Sequence, residues 1–411
     1  MASTSDRPDD LEPPPWAGPL TGVRVLDLTR VLAGPAASLA LADLGAEVFK
    51  IEPPGSGDET RAFPPHRDGE SHYFLSVNRG KKSLVVDLKT PAGVALVKDL
   101  AGQCDILVEN YRPGVMDRLG LGYATLSAAH PKLIYCSISG YGMTGPLKDR
   151  PSFDIVLQAM SGALSVNGEP GGLPSKLGIP VGDLVGGING PIGILAALYE
   201  RGVTGRGRHI DISLMDGLVN MLGYLAQLAF FTGEDPQRQG SQHPNLVPYG
   251  IFPAQDGSIV IACLTNSFWV RICAAIGKPE LVSDPCFDTI EKRRDNREAV
   301  NALISDFTSQ RSVEDLEDLF AEHQVPNAPI LGIQAALSQP QAVARELVVQ
   351  TEHAVLGSIP ILNRPIKFAG APQPTPSAPP VLGQHSDEIL REILGLTLDE
   401  IAKLRADKIV S

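Results

Sequence analysis

Short apolar runs separated by amphipathic stretches dominate the first half of the chain. Val23-Arg24-Val25-Leu26-Asp27-Leu28 has the length and β-branching of a buried strand. Gly34-Pro35 then opens a helix, where the missing proline N–H has no intrahelical bond to lose. That helix ends near Gly45, a residue tolerant of positive φ. Residues 47–52 make the next strand and complete a βαβ unit, the building block of parallel sheets. The alternation continues with a helix from Thr90-Pro91 to about Gly102 and strands over 105–109 and 133–138. Helices near 154–163 and 184–200 and a strand over 209–213 follow. The pattern predicts an α/β fold with a wound, Rossmann-like, mostly parallel sheet.

The character changes after Thr232. Residues 233–248 are polar and turn-rich, which marks a boundary. Beyond them a strand over 258–262 and helices near 266–276, 293–310 and 313–323 predict a smaller α+β domain. Residues 370–380 hold too much proline for a helix and read as an extended linker, with short helices after it at about 386–393 and 397–405. The expected organisation is a disordered lead-in over 1–18, a large α/β domain over 19–232, a small domain over 233–330, and a linker and C-terminal segment over 331–411.

Composition narrows the classes. The 411 residues are 43% hydrophobic, enough for a sizeable core, and carry a formal net charge of −12. Such a surface argues against nucleic acid or an anionic membrane as partner. No run of 18 apolar residues is present, and the polar, acidic start lacks the features of a secretion or transit signal. Five cysteines without CxxC spacing suit a reducing compartment and not a zinc site. A cytoplasmic enzyme is the expectation.

The wound sheet invites a dinucleotide-binding reading, but the turn after the first strand is Thr29-Arg30-Val31-Leu32-Ala33-Gly34-Pro35, with one glycine where the Gly-x-Gly-x-x-Gly fingerprint needs three. A nicotinamide dehydrogenase is therefore a remote alternative. Gly182-Asp183-Leu184-Val185-Gly186-Gly187 is more informative. It places an acid at a helix start among glycine N–H groups. Asp183 is either an N-cap or a carboxylate nucleophile whose neighbouring N–H groups stabilise an oxyanion.

Several further segments decide between these readings. Arg30 to Pro35, Asp43 to Glu52, Gly55-Ser56-Gly57-Asp58-Glu59-Thr60-Arg61, Asn78 to Ser83, Val108 to Gly114, Ser139 to Gly142, Thr204 to Gly207 and Leu382 to His385 occur in this order with the Gly182-Asp183 element. Together they resemble the class III CoA-transferase family over residues 20–390. The resemblance implies that Asp183 is the catalytic nucleophile. It also implies CoA contacts from Val31, Ala33, Val86, Lys89, Asn110, Tyr111, Arg118 and Leu119, with Lys89 and Arg118 facing the phosphates. An acyl-CoA thioester is then a substrate, no tightly bound cofactor is needed, and the chain is expected to form an interlocked homodimer with its C-terminus returning to the first domain. The pattern lies nearest the succinyl-CoA:dicarboxylate branch. Arg30, Arg61 and His243 are the candidates for the distal carboxylate. Two departures from formyl-CoA members stand out: Leu32 replaces a glutamine, and His243 to Tyr249 replaces an all-glycine loop. The same fold family includes α-methylacyl-CoA racemases, whose catalytic histidine position is Phe153 here.

Overall fold

The computed structural model describes residues 18–411, so the predicted lead-in lies outside the described residues except for Gly18. Residues 18–164, 177–228 and 341–411 form one compact unit, and residues 165–176 with 229–340 form a second.

The first unit is built on six parallel strands, β1 (Arg24–Asp27), β2 (Glu47–Glu52), β3 (Lys81–Val85), β4 (Ile106–Glu109), β5 (Ile134–Ser139) and β6 (His209–Ser213). Their spatial order is β3-β2-β1-β4-β5-β6. The chain thus winds outward in both directions from β1, and the turns after β1 and β4 diverge to leave a crevice at the carboxyl ends of the strands. Alternation along the strands separates two cores. Val25, Val48, Ile106, Val108, Ile134 and Cys136 face one helical layer, and Leu26, Phe49, Leu84, Leu107 and Tyr135 face the other.

Six helices matter for the site: α1 (Ala33–Asp43), α2 (His72–Val77), α3 (Pro91–Gly102), α4 (Val115–Arg118), α5 (Asp154–Met160) and α6 (Val181–Thr204). α6 runs along α1 in parallel. A Cβ on Gly186 would stand 3.6 Å from Ala33, one on Gly187 only 2.8 Å from Ala36, and one on Gly190 3.2 Å from Ala37. A side chain at Gly187 would push the helices apart. By length and composition α6 could cross a membrane. Its close seat on α1 and its buried residues, from Val185 through Ile194 to Ala197, are those of a core helix.

The strand Lys81–Val85 escapes a hydropathy reading because it opens with two lysines. Lys81 is nonetheless fully buried, its amino group bound to Asp27 at 3.1 Å, Pro35 O at 3.0 Å and Asn78 at 2.9 Å. The C-terminal segment returns to this unit. Gly80 N–H donates to Ser377 O, Asp87 N–H to Ile409 O and His385 N–H to Ser83 O, and Val410 bridges Val86.

The second unit holds an antiparallel sheet of β7 (Tyr249–Pro253), β8 (Ser258–Ala262) and β9 (Asn327–Pro329) over a core around Trp269, Ile272, Ile304 and Phe320. The expected single helix over 293–310 is two, Ile290–Asp295 and Arg297–Thr308, broken at Asn296 with φ −107° and ψ 31°. Asparagine favours such a break because its side chain can bond nearby backbone in place of the helix; here it donates to the carbonyls of Cys286 and Lys292.

Candidate active site

The crevice is framed by the turns that leave β1 and β4. The first turn has almost every polar backbone atom held. Thr29 N–H donates to Asp27 Oδ1, and Thr29 O accepts from Lys50 Nζ at 2.9 Å. Arg30 N–H and O are clamped by the Asn110 amide, each at 2.8 Å. Asn110 therefore ties the two turns together across the switch point. Tyr111 N–H donates to Glu109, and the Arg30 guanidinium lies 4.5 Å from the centre of the Tyr111 ring. Burial pushes the Glu109 carboxyl up to about 7, against the opposing hydrogen bonds from Ser137 and Tyr111 N–H.

The residues expected to contact CoA converge here. Val86, Leu88, Tyr111 and Leu119 belong to one apolar cluster at the carboxyl ends of β3 and β4. Lys89 and Arg118 emerge beside it, both exposed, and neither is in an ion pair among the described residues. Val31 and Ala33 sit on the β1 turn and the start of α1.

Asp183 lies one helical turn before Gly186, which the α1–α6 register sets against Ala33. The carboxylate thus stands level with the β1 turn. Tyr73 of α2 confirms the proximity. Tyr73 and Val31 both pack against the buried cluster of Leu32, Leu39 and Val77, and the Tyr73 phenol is pushed up by burial and then by the charge of Asp183. Asp183 is not an N-cap. That position is Pro180, and Asp183 is the third residue of the helix, with no side-chain capping bond. Burial first, and the Asp154 charge second, raise its carboxyl to about 6.

The glycine amide expected to serve an oxyanion is already committed. Gly182 N–H donates to Asp154 Oδ1 at 2.7 Å, Val181 N–H to Ile179 O and Leu184 N–H to Pro180 O. A Cβ on Gly182 would fall 2.7 Å from the same Asp154 oxygen, so glycine is required for this approach. The other Asp154 oxygen accepts from Gln158 Nε2, and Gln158 Oε1 accepts from Leu177 N–H at 3.1 Å. Asp154 and Gln158 thus fix the start of the helix that carries Asp183. The motif around Phe153 pointed at this segment, but nothing in it disclosed a bond 28 residues away.

Two of the three proposed carboxylate-binding residues have other occupations. The Arg61 guanidinium grips Glu52 with two bonds of 2.7 Å, donates to Pro380 O at 3.1 Å and lies 3.5 Å over the Phe74 ring. Most of its donors are thus spent within the fold, with only 12% of its side chain exposed. His243 belongs to the second unit, where its Nδ1 accepts from Asn245 and Leu246 N–H. Arg30 stands on the β1 turn, where its guanidinium lies over the Tyr111 ring and pairs with Glu59 at 2.6 Å. Among the described residues no group of His, Cys, Asp and Glu could hold a metal ion.

Known proteins resemble this chain along most of its length. The chain is 38% identical to succinyl-CoA:glutarate CoA-transferase of Homo sapiens over 92% of its length and 86% of the relative's. It is 40% identical to acetyl-CoA:oxalate CoA-transferase of Acetobacter aceti over 88% of its length and 92% of that protein's. A CAIB/BAIF family protein from Brucella suis superposes with a TM-score of 0.83 at 36% identity, covering 92% of this chain and all of that one. Residues 20–386 match CoA-transferase family III, and the chain belongs to that family.

Proposed function

We propose that this CoA-transferase moves CoA from succinyl-CoA or a similar acyl-CoA to a short dicarboxylate, with Asp183 as the covalent relay. The observation that carries the reading is a carboxylate with a raised pKa and no capping role, held at a helix start beside the switch-point crevice. Both relatives named above take a dicarboxylate acceptor, glutarate or oxalate, from different acyl donors.

The Asp183 carboxylate attacks the thioester carbonyl of the donor. The C–S bond breaks, leaving a mixed anhydride on the enzyme and a CoA thiolate. The thiolate attacks the aspartyl carbonyl, releases the donor acid and leaves an aspartyl-CoA thioester. The acceptor carboxylate reverses both steps and departs as its CoA ester. A carboxylate nucleophile suits this traffic because each intermediate stays activated toward the next carboxylate or thiolate. Desolvation of Asp183 raises its basicity and keeps water from the intermediates. Lys89 and Arg118 meet the CoA phosphates as unpaired cations. Arg30 receives the distal carboxylate, whose burial without a cationic partner would cost several kcal/mol. Racemisation would need a second base opposite Asp183, and Phe153, with 76% of its surface exposed, carries no proton to exchange.

The chain acts as a homodimer in this proposal. Ile188, Ile192, Tyr199 and Val203 expose one apolar stripe of α6, and a second copy is the occupant that would cover it. Light scattering should return twice the chain mass; a stable monomer overturns the dimer. The substrate reading is tested by a matrix of acyl-CoA donors against free carboxylates, read by mass. Succinyl-CoA with a C4–C6 dicarboxylate should be among the best pairs. Equal or better use of acetate or carnitine as acceptor would overturn it.

A further inference from the structure

Val31 has φ +64°, a left-handed conformation that a β-branched side chain adopts only against strain. It stands in the β1 turn at the mouth of the crevice, where glycine would adopt the same φ without steric strain. The strain is held by a buried carboxylate. Asp58 Oδ1 accepts the Val31 N–H at 3.3 Å, together with the Thr60 N–H at 2.9 Å and the Thr60 hydroxyl at 2.7 Å. Asp58 Oδ2 pairs with Lys50 Nζ at 2.9 Å, and both side chains are almost wholly buried. Lys50 also grips Thr29 O, two residues before Val31. The Asp58–Lys50 pair therefore holds the turn at two of its backbone groups, while Asn110 holds Arg30 between them. No step of the transfer chemistry uses either charge.

We propose that Asp58, backed by Lys50, is a positioning residue of the acyl-CoA site: it holds Val31 left-handed so that its side chain and the start of α1 face the thioester end of CoA. The proposal rests on the reading of this crevice as the CoA site. Burial alone would raise the Asp58 carboxyl, but Lys50 and the Thr60 bonds hold it below its ordinary value, so the clamp stays charged.

The test is a pair of substitutions combined. Asp58→Asn keeps an oxygen for the Val31 N–H but releases the Lys50 pairing. It should weaken binding of free CoA, measured by titration calorimetry, by about tenfold, because a loosened turn misplaces every contact it carries. Val31→Gly adopts the same φ without strain, so in that background Asp58→Asn should weaken CoA binding by no more than about twofold. An equal loss in both backgrounds, or no loss in either, overturns the proposal. Where Asp58→Asn does not fold, Val31→Gly is compared with Val31→Ala. Glycine ordinarily lowers stability relative to alanine, so a higher Tm for the glycine variant supports the strained clamp and a lower one overturns it. A parent protein that binds no CoA while Val31→Gly still melts above Val31→Ala would sink the functional reading and leave the clamp standing.

Discussion

Replacing Asp183 by Asn should make the protein more stable while abolishing transfer. Burial and the Asp154 charge raise the Asp183 carboxyl from 3.8 to about 6 in the folded chain. A carboxyl raised on folding binds its proton more tightly in the native state. The ionised form is therefore destabilised in the fold, and stability is lost as pH climbs from about 4 to about 6. Two pH units at ~1.4 kcal/mol each set an upper limit of about 3 kcal/mol. The helix start favours the ionised acid at its third residue by about 0.3–1 kcal/mol, and Asn loses that. The net expectation is a gain of about 1–2 kcal/mol for Asp183→Asn above pH 7. Thermal melts of parent and variant between pH 5 and 8 provide the assay. The variant's advantage should be smallest at pH 5, grow toward pH 6 and then level off. A variant less stable than the parent at pH 7.5 would refute the argument that Asp183 is held charged against its environment.

Asp154→Asn retains an oxygen for the Gly182 N–H but removes the like charge, so the acid limb of kcat/KM, expected near pH 6, should move downward while staying above the ordinary carboxyl range; an unmoved limb would show that Asp183 does not feel Asp154. Arg61→Gln leaves Glu52 buried without its cation and should cost about 3–5 kcal/mol of stability with little effect on acceptor KM in the folded fraction. Arg30→Gln should do the reverse, raising dicarboxylate KM by about tenfold at an unchanged Tm; equal effects on acetate and dicarboxylates would remove Arg30 from the acceptor site.

Local patterns made some of this legible in the sequence and hid the rest for identifiable reasons. The strands at 24–27, 47–52, 106–109 and 134–139 show as apolar runs because both faces of the sheet are covered. Lys81–Val85 does not show, since Lys81 is buried by pairing with Asp27, a residue 54 positions away. Asp183 stood out because glycines flank it, one of them required by the approach of Asp154. The partners that set its position and basicity did not, because the Asp154–Gly182 bond, like that of Asp58 with Val31, spans nearly 30 residues. Arg61 was legible as a cation on a polar loop and a candidate for the acceptor carboxylate, but its partners Glu52, Phe74 and Pro380 lie 9 to 319 positions away and show only in the fold.

The central claim is that CoA passes through a covalent bond to Asp183. Incubating the protein with donor acyl-CoA in the absence of acceptor, quenching with hydroxylamine and sequencing the peptides by mass spectrometry tests it directly. The account predicts a hydroxamate at Asp183, absent without donor and absent in Asp183→Asn. Modification at another residue, or an Asp183→Asn protein that still exchanges CoA between acids at near the parent rate, would contradict it.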